Sequence, residues 1–118
     1  MRKESWVVNS TPEYRLKAVM ETYCAKNSRH SLEGIIATGY DENGALKSFD
    51  VLYEVTEGFQ NDDYDVLFVR NDKVSDACMS LLSQGYDVYR VQINPTEHAV
   101  VSVKKLPMKE QDYSTRKR

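Results

Sequence analysis

Four residues near the middle of the chain have the types and spacing to hold a cationic ligand. Tyr53 and Glu54 stand together, and Asp62 and Asp63 follow, with Asp63 ten residues after Tyr53. Tyr53 and Glu54 fall late in one strand-like run, and the two aspartates open the next. A hairpin between those runs would bring the two ends to one side of a sheet. Carboxylates supply fixed negative charge there, and a phenol adds a hydrogen-bonding rim. Without a ligand, Asp62 and Asp63 are ordinary turn residues. From spacing alone the turn assignment carries more weight.

Other chemistries find little material. His30 and His98 are the only histidines, and Cys24 and Cys78 lack the close spacing of a zinc site. The five glycines form neither a dinucleotide-binding nor a P-loop pattern. There is no nucleophile elbow, and neither cysteine has a catalytic signature beside it. No metal and no cofactor is therefore expected.

These residues need a scaffold. Ser5 to Asn9 reads as a short buried strand. Ser10-Thr11-Pro12-Glu13 starts a helix, with a hydroxyl cap, a proline in the first turn and an acid facing the positive helix end. Leu16, Val19, Met20, Tyr23 and Cys24 recur at helical spacing, so this helix runs to about Lys26. Polar Asn27 to Ser31 breaks it. Ile35 to Tyr40 and Ser48 to Val55 read as strands about a turn at Asn43-Gly44. In the second strand Phe49, Val51, Tyr53 and Val55 share one face. A turn from Gly58 to Asp63 leads to a strand from Tyr64 to Arg70. Asn71 or Asp72 then caps a second helix, which carries Val74, Ala77, Cys78, Leu81 and Leu82 and ends at Gly85. Tyr86 to Ile93 and His98 to Lys105 complete a hairpin around Asn94-Pro95-Thr96.

The order is β-α-β-β-α-β with an extra hairpin, which predicts an α+β, ferredoxin-like fold: two helices on one mostly antiparallel sheet. Val19, Tyr23, Val51, Phe68, Cys78 and Leu81 are the expected core. The chain has 118 residues, enough for one domain and one core. Residues 1–106 are that domain, and the polar residues 107–118 are an expected disordered tail. No internal repeat is visible in the sequence.

A net charge of −2 provides no basic field for nucleic acid. No apolar run is long enough for a membrane span, and no secretory leader is evident. The cysteines read as reduced core thiols of a cytoplasmic protein. Eight tyrosines against three phenylalanines suit half-buried faces and interfaces.

The order and spacing over residues 5 to 103 resemble those of the phage-encoded S-adenosylmethionine lyases, formerly called hydrolases. There a Tyr-bearing strand is followed about ten residues later by an acid that opens the next strand. That strand feeds a helix ending at a Gln. Here the matching residues are Tyr53, Asp63 and Gln84. The family's acid is a Glu, so Asp63 is one methylene shorter. The resemblance implies a PII-like fold, a homotrimer with sites between subunits, and no cofactor. It implies that S-adenosylmethionine is cleaved to 5′-methylthioadenosine and homoserine lactone in the host cytoplasm, countering restriction-modification. It further implies that Asp63 holds the substrate ammonium, Tyr53 positions its polar end and Gln84 orients it, with Glu54 and Asp62 as neighbouring contacts. The competing expectation is a non-catalytic ferredoxin-like module that binds a host protein or small effector.

Overall fold

In the computed structural model of the protein, which describes residues 1–57 and 60–106, local signals act largely where the sequence puts them. The Thr11 hydroxyl accepts the Tyr14 amide at 3.2 Å, and Pro12 opens the helix. Gly44 and Gly85 are the positive-φ residues among those described, at 82° and 92°. Gly44 makes the turn between two strands, and Gly85 ends the second helix.

The elements are β1 (Arg2–Val7), α1 (Pro12–Cys24), β2 (His30–Tyr40), β3 (Leu46–Val55), β4 (Gln60–Arg70), α2 (Val74–Ser83), β5 (Asp87–Asn94) and β6 (Glu97–Leu106). A 3-10 turn over Asn71–Lys73 precedes α2. No side chain caps α2. Neither expected cap, Asn71 or Asp72, does so, and Asn71 instead donates its amide to the Pro95 carbonyl at 2.9 Å and meets His98 Nδ1 through Oδ1 at 2.7 Å.

The expected single sheet is replaced by two antiparallel three-stranded sheets, ordered β1-β3-β2 and β4-β6-β5. The reason is partner choice. Strand β3 takes β1 on one edge and β2 on the other, leaving no edge for β4, which pairs with β6. Each sheet is the same unit: two parallel outer strands, a helix connecting them, and an antiparallel strand inserted between. The sequence shows no repeat, but the topology does.

One core joins the two sheets. Leu16, Val19, Met20, Tyr23 and Cys24 of α1 pack with Phe49, Val51 and Tyr53 of β3 and with Ala99, Val101 and Val103 of β6. On the alternate face of β6, Val100 and Ser102 are also buried, and α2 packs against this strand. The sheets meet along β2 and β5 through tyrosines, not a ladder. Tyr89 donates its hydroxyl to the Leu32 carbonyl at 2.7 Å, and Tyr40 to the Gln92 carbonyl at 2.9 Å.

Of the expected core, Val19, Tyr23 and Val51 are fully enclosed. Phe68, Cys78 and Leu81 are only half-buried. Phe68 lies on the edge strand β4, with Lys17 Nζ 5.5 Å from its ring centre. Cys78 and Leu81 lie on a helix that covers one outer sheet face and has solvent beyond it. The residues from Gln60 to Asp63 belong to strand β4 and not to a turn. Residues 107–118, the expected tail, lie outside the described residues. Among the described residues, no helix is long and apolar enough to cross a membrane.

Candidate functional site

Strand alternation decides which way each candidate side chain faces. Phe49, Val51 and Tyr53 alternate into the core. Tyr53 is therefore 7% exposed, with its ring centre 5.0 Å from that of Tyr23 and 5.1 Å from that of His30. Tyr23 donates its hydroxyl to Glu4 and accepts the Trp6 indole N–H at 3.2 Å. Burial raises the Tyr23 pKa, and the hydrogen bond to Glu4 reinforces the rise. A proton on Tyr23 is thus held in place and not available for transfer.

Glu54, next along β3, has the opposite orientation and meets the Met1 ammonium at 3.1 Å. Asp63 is exposed on β4 and accepts the Tyr86 hydroxyl at 2.7 Å. That hydrogen bond is the main cause of a raised Tyr86 pKa. Lys104 Nζ stands 5.0 Å from the centre of the Tyr86 ring. Asp62 sits at the bulge between Asn61 and Asp63 and is half-buried. Gln84 caps the end of α2, its amide turned back to the Ser80 carbonyl at 3.2 Å and hydroxyl at 3.3 Å.

The expected β3–β4 hairpin does not form, because the two strands belong to different sheets. The candidates nevertheless gather at one end of the molecule. Asn61 links them: its buried side-chain amide donates to the carbonyls of Tyr23, Ala25 and His30 at 3.1, 3.3 and 3.2 Å. The end of α1 and the start of β2 are thereby tied to the start of β4. Tyr53 packs tilted against His30 from the inside, while Asp63 and Glu54 lie at the surface. Gln84 precedes Tyr86 by two residues, and Tyr86 holds Asp63. The structure brings Asp62 and Asp63 to Tyr86, keeps the Gln84 side chain bonded to Ser80 within α2, and keeps Tyr53 on an inner face.

Several residues here were not singled out by sequence. Glu4 and Trp6 share a strand face two residues apart, which was the available signal for their contact with Tyr23. Tyr86 and Asn61 had no local signal, because their partners lie 23 and 31 to 38 residues away.

The site offers a cation a rim of carboxylates and a phenol. It does not offer an activated nucleophile. Ser28 and His30 resemble such a pair, with Oγ 2.8 Å from Nδ1. Ser28 Oγ also lies 3.0 Å from the Thr22 carbonyl and accepts the His30 backbone N–H at 3.1 Å, contacts that tie it into the turn after α1. Cys24 is buried, which pushes its thiol pKa up to about 12 and leaves it protonated and unreactive at neutral pH. Among the described residues no group of three His, Cys, Asp or Glu side chains converges as a metal ion would need. The chain matches no protein-family model, no curated protein and no solved structure.

Proposed function

We propose that the protein is an S-adenosylmethionine lyase of the phage-encoded kind, with its sites completed between the subunits of a homotrimer. The observation that carries this reading is the exposed Asp63 carboxylate, oriented by the Tyr86 hydroxyl and with Asp62 beside it. In the reaction the substrate's carboxylate oxygen attacks its own γ-carbon. The carbon–sulfur bond breaks, and its electron pair neutralises the sulfonium. 5′-Methylthioadenosine and homoserine lactone leave, with no proton, metal or water consumed. Charge is lost as the transition state forms, so a site that excludes water favours it. Holding the chain folded lowers the entropic cost of ring closure. Asp63 holds the ammonium, Gln84 orients the substrate, and Tyr53 borders it from within, with Glu54 and Asp62 beside them. In an infected cell this chemistry would deplete the host methyl donor and blunt restriction-modification.

The test is incubation of the purified protein with S-adenosylmethionine and a search for 5′-methylthioadenosine. Asp63→Asn keeps the shape and removes the charge, so turnover should fall about 10²-fold or more, an effect on the scale of losing one electrostatic stabiliser. Asp62→Asn is the neighbouring control. Light scattering should give three times the 13.6 kDa chain mass; a mass of one chain at micromolar concentration would remove the intersubunit site. A second reading, a non-catalytic ferredoxin-like module binding a host protein or small effector, is favoured by one observation: Tyr53 is 7% exposed and faces the core. It replaces the first if no 5′-methylthioadenosine is formed.

A further inference from the structure

Strand β4 is the outer strand of its sheet, and its second edge faces a groove of about 610 Å³ beside α1. Tyr14, Lys17, Ala18 and Glu21 of α1 line one side, and Tyr64, Asp65 and Val66 of β4 the other. The direction of the β4 backbone is fixed by two hydrogen bonds. Asn71 N–H donates to the Thr96 carbonyl at 2.9 Å, toward β6. Val66 N–H donates at 2.8 Å to the carboxylate of Asp65, its own neighbour, and so points away from β6. By alternation, the backbone groups of Tyr64, Val66 and Phe68 all point to the free edge of β4, and Tyr64 and Val66 line the groove there. They present a ladder roughly 13 Å long.

An edge of this kind is a template for another strand. Here the central donor is covered by a side chain and not by a strand. We infer that the groove takes an extended peptide that adds to β4 as a fourth strand and alternates apolar with cationic side chains. A carbonyl of the incoming strand accepts the Val66 N–H and displaces Asp65, whose carboxylate then pairs with a cationic side chain of the same peptide. The alternation follows from the two faces of β4. On the inner face the strand meets Tyr64, Tyr14 and Ala18, which suit apolar side chains. On the outer face it meets Asp63 and Asp65, which suit cations. Backbone pairing supplies affinity, and the alternating side chains supply selectivity. Nothing in this depends on whether the protein acts on S-adenosylmethionine.

The test uses the full chain and a fluorescein-labelled peptide of four lysines alternating with three valines, read by anisotropy. Two further peptides carry backbone N-methyl groups, one on every valine and the other on every lysine. Lysine and valine N–H groups lie on opposite edges of an extended strand. Strand addition therefore requires one N-methyl peptide to lose affinity at least tenfold while the other binds like the parent. Ala18→Trp fills the groove from an exposed position and should abolish binding. A peptide with glutamates for lysines should bind at least tenfold more weakly, and Asp65→Asn should narrow that difference. The amide resonances that move should be those of Tyr64, Val66 and Phe68. Equal binding by both N-methyl peptides, indifference to Ala18→Trp, or no binding would overturn the inference. So would a parent that fails to bind while Arg116→Glu/Lys117→Glu/Arg118→Glu succeeds, because the groove's occupant would then be the chain's own C-terminal segment.

Discussion

The two halves of the chain, β1-α1-β2-β3 and β4-α2-β5-β6, have one topology and very different burial. Five residues of α1 are buried, against Val74 alone in α2. Judged by composition the order should be reversed: α2 carries Val74, Ala77, Cys78, Met79, Leu81 and Leu82, whereas α1 includes Glu13, Arg15, Lys17 and Glu21. What separates the helices is the number of surfaces around them. Inner faces from both sheets converge on α1. Only the outer face of one sheet lies against α2, leaving Met79 67% and Leu82 57% exposed. Two sheets and two helices have one interior between them, and α1 occupies it.

The comparison is sharpest at paired leucines. Leu16→Ala should cost about 3 kcal/mol, because it opens a cavity in a site closed on all sides. Leu82→Ala should cost at most ~0.5 kcal/mol, the usual scale for a surface change. Urea unfolding measures both. A loss at Leu82 approaching that at Leu16 would show the outside of α2 to be covered in solution, and would break the comparison in favour of an assembly.

A smaller contrast lies in the two left-handed glycines. Gly85→Ala meets open space, and only the positive φ is strained, for roughly 1 kcal/mol. At Gly44 a new Cβ would also stand 2.8 Å from Pro95 Cγ, in the turn of the other half. Gly44→Ala should therefore cost about 2 kcal/mol, one for the backbone and one for shifting the proline. Equal losses would mean that the two turns do not press together.

A further difference, specific to the buried helix, appears only at high pH. Burial raises the Cys24 pKa to about 12, so the fold keeps the thiol neutral while the unfolded chain ionises it above about pH 8.5. Its contribution is whole below that point and declines as pH rises toward 12, by up to ~1.4 kcal/mol per pH unit. Cys24→Ala should flatten the fall in stability between roughly pH 8.5 and 10. Above that range buried Tyr23 and half-buried Tyr64 and Tyr89, also raised chiefly by burial, continue the decline. An unchanged slope in the variant would place the alkaline sensitivity in groups other than Cys24.

Local chemistry was legible along the chain. Thr11 and Pro12 determine where α1 begins, and the glycines at 44 and 85 determine a turn and a helix end, because each acts through its own backbone angles or a partner three residues away. Alternation along β3 determined that Phe49, Val51 and Tyr53 face inward. Pairing was decided elsewhere. The choice of β1 and β2 by β3, and of β6 by β4, depends on which surfaces are hidden when the chain closes, and no short window contains that information. The same holds for the candidate site. The residue types were readable, but the β3–β4 hairpin expected to join Tyr53 and Glu54 to Asp62 and Asp63 does not form. That Tyr53 turns inward while Asp63 turns outward, held by a tyrosine 23 residues away, follows from the division into two sheets. Burial of a helix is likewise a property of what surrounds it, so the more apolar α2 could be assigned to the core from sequence and left half outside it by the fold.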